Sequence, residues 1–465
     1  MDSIPSRFQG IVIPKDDPFK NDKLGYSKYS SVLKGMVDMY KDSGCVIAIN
    51  GKWGTGKTTF IRMWEASLPK KEYNTIYFNA WETDYFADPL VAILGELKAI
   101  SQDDEAFKKV ASSLGKILTA AGGAALRGVI KKTTGVDSAE IGEAIGEVKS
   151  SINGALDKYK EQKQSLEEFK LKLSEYVAGQ NGRPVVFIID ELDRCNPHYA
   201  VRVLEIVKHL FDVPNICFFL TIDKSQLECS IKGFYGNSEI DAENYLRRFI
   251  DIDFRMPEPY IEGFTELLFD HYGFQQFFYD ISEDTYHTPV DFRDMATALC
   301  KLYRIDLRTY DKIMAHTRLS LMQLRNDTII LDVVLLLCFI RVADSAFFDA
   351  ISHHDFSMNE LLAEFEKRFP RTLLSQDDFG SPSDRLAHKV VYLLGPFLLL
   401  YNRKGSSTIE DGFTNLNKDT SLPLNCQVIE PSALLDAMIW FTRCSNPHFG
   451  MDNVLKTVNL LRNFQ

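Results

Sequence analysis

Two short stretches of this chain carry residue types that can do chemistry together. Residues 51 to 58 read Gly51-Lys52-Trp53-Gly54-Thr55-Gly56-Lys57-Thr58, which fits G-x-x-x-x-G-K-[ST] at every fixed position. Gly51, Gly54 and Gly56 permit turns that a side chain would forbid, so backbone N–H groups can approach phosphate oxygens. Lys57 is expected to reach the β- and γ-phosphates of a nucleoside triphosphate, and the Thr58 hydroxyl to coordinate Mg²⁺. Trp53, Thr55 and Thr59 border the same cradle and are assigned to it, although no phosphate chemistry requires the Trp53 indole. The second stretch is "VVFIIDELDRC", from 185 to 195. Its Asp190 offers a carboxylate to the metal, and Glu191 is positioned to orient or deprotonate an attacking water.

Such groups work only if a sheet edge presents them. "CVIAIN" (45–50), "TIYFNA" (75–80), "VVFIID" (185–190) and "CFFLTID" (217–223) are short apolar runs rich in β-branched and aromatic residues, the pattern of buried parallel strands. Helical periodicity alternates with them in "KTTFIRMWEASL", "PLVAILGELKAI" and "HYAVRVLEIVKHLF". The alternation predicts a doubly wound α/β sheet, which binds ligands at the carboxyl ends of its strands. Thr221 and Asp223 end the fourth run, where a polar side chain can sense the γ-phosphate or the water. Arg247, Arg248 and Arg308 are candidates for an arginine finger or sensor, because guanidinium stabilises charge on a transferring phosphoryl group. Arg248 is the one assigned to catalysis and Arg308 to the nucleotide; ordinary surface roles stay open for each.

The expected organisation is a lead-in at 1–43, a first core segment at 44–102, a helical insertion at 103–180, a second core segment at 181–258 and an α-helical region at 259–465. The insertion ends in "ALDKYKEQKQSLEEFKLKLSEY", a charged amphipathic helix read as solvated rather than as an arm for partners.

Of 465 residues, 45% are hydrophobic and 25% charged, which fits a folded globular chain of more than one domain. A formal net charge of −11 argues against a surface given over to nucleic acid, leaving only a local basic groove compatible with that partner. The eight cysteines are scattered, several within apolar runs, as buried reduced thiols in a cytoplasmic protein would be. The apolar runs near 329–343 and 390–401 fall short of the ~20 residues a membrane-spanning helix needs, so buried helices are expected. Cys444 and His448 lack a second ligand pair for zinc, and His353-His354-Asp355 reads as a turn and helix cap.

Several pieces together resemble the KAP family of P-loop NTPases, within the STAND-like, AAA+-related division. They are "DKLGYSKYSSVL", "GKWGTGKT", "YFNAWETD", "IIDELDRCNP", "FFLTIDKSQL" and "YLRRFIDIDFRMP", spanning roughly residues 20 to 330. The resemblance implies a P-loop NTPase three-layer parallel sheet, ATP and Mg²⁺ as cofactors, and a catalytic acid beside Asp190. Many members have Asp-Asp where this chain has Asp190-Glu191, which keeps the carboxylate. Transmembrane helices often found in the family's insertion are not carried over, because the insertion here lacks hydrophobic length. Where the family often has Lys, this chain has Arg248. Bacterial members are associated with anti-phage defence beside partner proteins, so homo-oligomers or a complex with a defence effector are the expected assemblies.

Three functions are compatible with these residues. The first is an ATP-hydrolysing molecular switch. The second is a scaffold stabilised by nucleotide that recruits an effector without turnover. The third is a motor stimulated by nucleic acid, which the acidic balance disfavours.

Overall fold

The computed structural model describes residues 10–85, 89–99, 104–120, 152–179, 182–210, 213–280, 289–323, 331–368, 393–401, 434, 437–439 and 451–460. Two compact units divide the chain: Ile11–Asp22 with Tyr26–Glu258, and Met1–Gly10 with Lys23–Gly25 and Pro259–Gln465.

The first unit is built on five parallel strands, β1 (Cys45–Asn50), β2 (Asn74–Asn79), β3 (Val185–Asp190), β4 (Ile216–Ile222) and β5 (Ile252–Arg255), in the order β2-β3-β4-β1-β5. Every residue of β3 and β4 is buried. Side chains on both faces of a central parallel strand are covered, so its sequence reads as an unbroken apolar run. The outer strands alternate instead, and β5 reads Ile-Asp-Phe-Arg with Asp253 and Arg255 exposed. That charged alternation over four residues is why β5 is not among the runs recognised from sequence.

Helices flank the strands: α1 (Ser30–Tyr40), α2 (Lys57–Ser67), α3 (Pro89–Ala99), α4 (Asp104–Ala120), α5 (Ile152–Ala178), α6 (Pro197–Leu210), α7 (Lys224–Tyr235) and α8 (Ala242–Leu246). One face of the sheet supplies Val46, Phe78, Phe187 and Phe218 to a core shared with α3 to α7. The other face meets α2, where the buried Trp64 ring lies 4.6 Å from Phe219 and its indole N–H donates to Ser30 of α1 at 3.2 Å. Segment 103–180 is not wholly solvated: Phe107, Val110 and Ala111 of α4 and Phe169, Leu173 and Tyr176 of α5 enter the common core. The Tyr176 hydroxyl also donates to the Leu97 carbonyl at 3.0 Å, tying α5 to α3. The glycine- and alanine-rich middle of that segment lies outside the described residues.

The second unit is helical among its described residues, with α9 (Ile261–His271), α10 (Phe274–Asp280), α11 (Pro289–Leu302), α12 (Leu307–Gln323), α13 (Leu331–Ala343), α14 (Ser345–Ser352) and α15 (Met358–Arg368). α13 is the apolar run read as a buried helix, and Val333 through Ile340 are all buried. Residues 393–401 are helical through Gly395 and Pro396. Gly395 suits that position because a Cβ there would lie 2.8 Å from Ala437 Cβ. His353 is the C-cap of α14, and no group of three or more metal-ligating side chains occurs among the described residues. Nor is any described helix long and apolar enough to cross a membrane. Six cysteines are described, all free and five of them buried; Cys444 and His448 lie outside the described residues.

Candidate functional site

The turn between β1 and α2 is shaped by its glycines. Gly54 and Gly56 have φ of 75° and 81°, the left-handed region that penalises any side chain, and Gly56 is the N-cap of α2. Gly51 donates its N–H to the Ile222 carbonyl at 3.1 Å, pinning the start of the turn to β4. The Tyr26 hydroxyl donates to the Thr55 carbonyl at 2.6 Å, and Thr55 Oγ1 donates to the Lys52 carbonyl at 2.8 Å. Lys57, the first residue of α2, is buried and curls back to donate to the carbonyls of Gly51 at 2.7 Å and Lys52 at 3.1 Å. Burial lowers its pKa, opposed by the nearby carboxylates of Asp193, Asp223 and Asp190. Thr58 and Thr59 follow in the first turn of α2, which contains no acidic residue. A helix N-terminus free of acids, met by a glycine turn and an ammonium group, is suited to hold a polyanion.

Asp190 closes β3 with only 1% of its surface exposed. Tyr77 on β2 donates its hydroxyl to Oδ2 at 2.8 Å and the Glu191 N–H donates to Oδ1 at 2.9 Å, while the nearby Thr58 side chain also favours the ionised carboxylate. Burial nevertheless raises its pKa above the ordinary carboxylate value. The Arg62 guanidinium lies 4.1 Å from the centroid of the Tyr77 ring, backing that contact from α2.

Glu191 stands in the left-handed region at φ 59°, a conformation unfavourable to a non-glycine residue. Its Oε1 pairs with Arg194 Nη1 at 2.7 Å, and Asn79 at the end of β2, whose amide donates to Glu82 at 3.0 Å, lies near enough to favour the ionised form. Burial raises its pKa and Arg194 works against that rise. Arg194 lies 5.7 Å from the centroid of the half-exposed Trp81 ring.

Thr221 lies in register with Asp190 across the β3–β4 ladder, fully buried. Asp223 N-caps α7 by accepting from Ser225 N–H at 3.2 Å, and also accepts from Trp53 N–H at 3.1 Å. The Trp53 indole donates to Asp193 Oδ2 at 2.5 Å, so the ring engages a carboxylate of its own chain. Arg247 and Arg248 are exposed just beyond α8, Arg247 paired with Glu243 at 2.9 Å. Arg308 is exposed on the first turn of α12, in the other unit. Sequence reasoning passed over Asp193, Arg194, Tyr77 and Asn79. Asp193 and Arg194 stood within the quoted "DELDRC", but only folding brings Asn79 and Tyr77 beside β3.

The model of the KAP family P-loop domain matches residues 26–318. The chain belongs to the KAP family. The match covers the whole strand-bearing part of the chain and runs on into the helices that follow it. This KAP chain is 21% identical over 260 residues to the phage T7 exclusion protein of Escherichia coli strain K12, covering 51% of the chain and 34% of that protein. It therefore spans about a third of the relative's length. Among solved structures, the Aeropyrum pernix ORC2 protein in its ADPNP–ADP complexes aligns over 100% of the chain and 96% of its own. The identity is 12% and the TM-score 0.29, too low to carry a structural argument.

Proposed function

We propose that this KAP protein binds ATP with Mg²⁺ at the turn between β1 and α2 and hydrolyses it as a molecular switch. The observation that carries the reading is the approach of the Thr58 side chain, at the start of α2, to the buried Asp190 carboxylate at the end of β3. Two hard oxygen donors meeting beside an ammonium and a helix N-terminus suit Mg²⁺, which takes few protein ligands and completes its shell with phosphate and water. Thr58 and Asp190 would hold the ion, which neutralises charge on the phosphates when bound. Lys57 would exchange its bonds to Gly51 and Lys52 for phosphate oxygens, and Gly54, Thr55, Gly56 and Thr59 would line them. Glu191 would orient and deprotonate the attacking water. Arg248 is exposed and thus available to the nucleotide of a neighbouring copy, which makes a homo-oligomer part of the reading.

The likeness to a phage exclusion protein supports a role in defence against phages; a cytoplasmic location and an effector protein as partner complete the reading. Lys57→Ala should abolish ATP binding, and Glu191→Gln should keep binding while stopping phosphate release. Turnover that survives both substitutions overturns the reading.

One observation favours a nucleotide-stabilised scaffold: Glu191 is paired with Arg194 rather than free. That reading calls for bound nucleotide, no phosphate release, and full recruitment of the effector by the Glu191→Gln protein.

A further inference from the structure

Trp53 is left unexplained by phosphate chemistry, yet its residue is tied down twice. Its backbone N–H goes to Asp223 and its indole N–H to Asp193, the latter at 2.5 Å. Both acceptors are buried carboxylates. Asp223 follows β4 and Asp193 follows β3, while Trp53 follows β1. Because β4 lies between β1 and β3, the indole spans the end of β4 to join two strands that do not touch.

The joined segment is the one that carries Glu191. Asp193 is the middle residue of a single turn, Leu192–Arg194, whose N-cap is Glu191 at φ 59° and ψ 24°. Two backbone bonds close that turn, Arg194 N–H to the Glu191 carbonyl at 3.1 Å and Cys195 N–H to the Leu192 carbonyl at 3.3 Å. A left-handed non-glycine residue persists only where its surroundings over-determine it. A charge-assisted bond to the adjacent turn is such a determinant, and stronger than a neutral one. Trp53 is 44% exposed, so its ring contributes less through burial than a core tryptophan would.

We propose that Trp53 is a positioning residue for Glu191: its indole bond to Asp193 fixes the turn that aims the catalytic acid at the cradle. This rests on the assignment of hydrolysis to Glu191. Nucleotide capture is left to the backbone and Lys57, so loss of the indole bond acts on turnover rather than affinity.

Trp53→Phe keeps a ring and removes the donor. It should lower kcat for ATP with Mg²⁺ by about tenfold or more while the ATP Kd stays within about threefold. Asp193→Ala should reproduce the loss, and Asp193→Asn, which keeps an acceptor, should recover part of it. The double variant Trp53→Phe/Asp193→Ala should be no worse than Asp193→Ala alone, since both remove one bond.

Independent of turnover, amide exchange of Arg194 and Cys195 in the nucleotide-free full chain should be faster in Trp53→Phe than in wild type, with exchange in β1, β3 and β4 unchanged. Unchanged exchange at both amides, or a defect confined to Kd, overturns the proposal. Glu191→Gln run alongside separates the two ideas. If it still releases phosphate, the Glu191 assignment fails; if it is inert and Trp53→Phe turns over normally, only the Trp53 proposal fails.

Discussion

Asp190 and Thr221 occupy the same level of the β3–β4 ladder, both buried, but while Asp190 accepts from the Tyr77 hydroxyl and the Glu191 N–H the Thr221 hydroxyl has no partner among the described residues. A buried hydroxyl left unmatched costs about 1–3 kcal/mol, so it lowers the stability of the nucleotide-free fold. Thr221→Val keeps the shape and removes the cost. Thermal melting of the nucleotide-free protein should stay level or rise by about 2 °C. Phosphate release at saturating ATP should fall about tenfold if the hydroxyl reads the phosphate or the water. Turnover within about twofold of wild type removes Thr221 from the site.

Asp190 also bears on stability through its protonation. Its folded pKa is raised by burial, so the unfolded chain loses this proton first as pH rises. The resulting penalty on the fold is absent below the unfolded pKa and complete above the folded one. Asp190→Asn should therefore melt higher than wild type at neutral pH, with the gain vanishing at pH below the carboxylate range. The same variant should lose Mg²⁺-dependent turnover. Melting curves across pH, with phosphate release at pH 7, test both halves.

The pairing of Glu191 with Arg194 sets a pH dependence. Burial raises the Glu191 pKa and the guanidinium opposes it, so Arg194→Gln leaves burial less opposed. A general base must be deprotonated, hence the acid limb of kcat should move to higher pH in this variant. A limb that stays in place, or moves down, rules out the ion pair as a control on Glu191.

Trp64 joins α1, α2 and β4 without approaching the chemistry through any of its own contacts. Trp64→Ala should cost about 3–5 kcal/mol in the denaturant unfolding of the strand-bearing unit. A cost below about 1 kcal/mol contradicts its place in the core.

How much of this was legible in the sequence depends on how local each signal is. β1, β3 and β4 announce themselves because burial on both faces leaves uninterrupted apolar runs. β5 does not, since its exposed Asp253 and Arg255 break the run. The motif at 51–58 and the Asp-Glu pair are local patterns too, set at a helix start and a strand end. The neighbours of Glu191 and Asp190 on β2 are different in kind. Asn79 and Tyr77 matter only because β2 lies beside β3, and strand order is written in no single segment. Trp53 stood out in sequence, but its acceptor Asp193 becomes apparent only when the ends of β1 and β3 come together. The arginines are the reverse case: Arg247, Arg248 and Arg308 have the right chemistry and are exposed, and exposure by itself distinguishes none of them.

Glu191 combines an unfavourable backbone with a useful side chain. Glycine or asparagine at 191 would relieve the backbone and surrender the acid, a trade in which the fold gains what the chemistry loses. Residue 191 is thus where a lineage freed from the need for turnover would drift first, towards a silent and sturdier descendant. On the proposed reading, an intact glutamate there is what turnover requires.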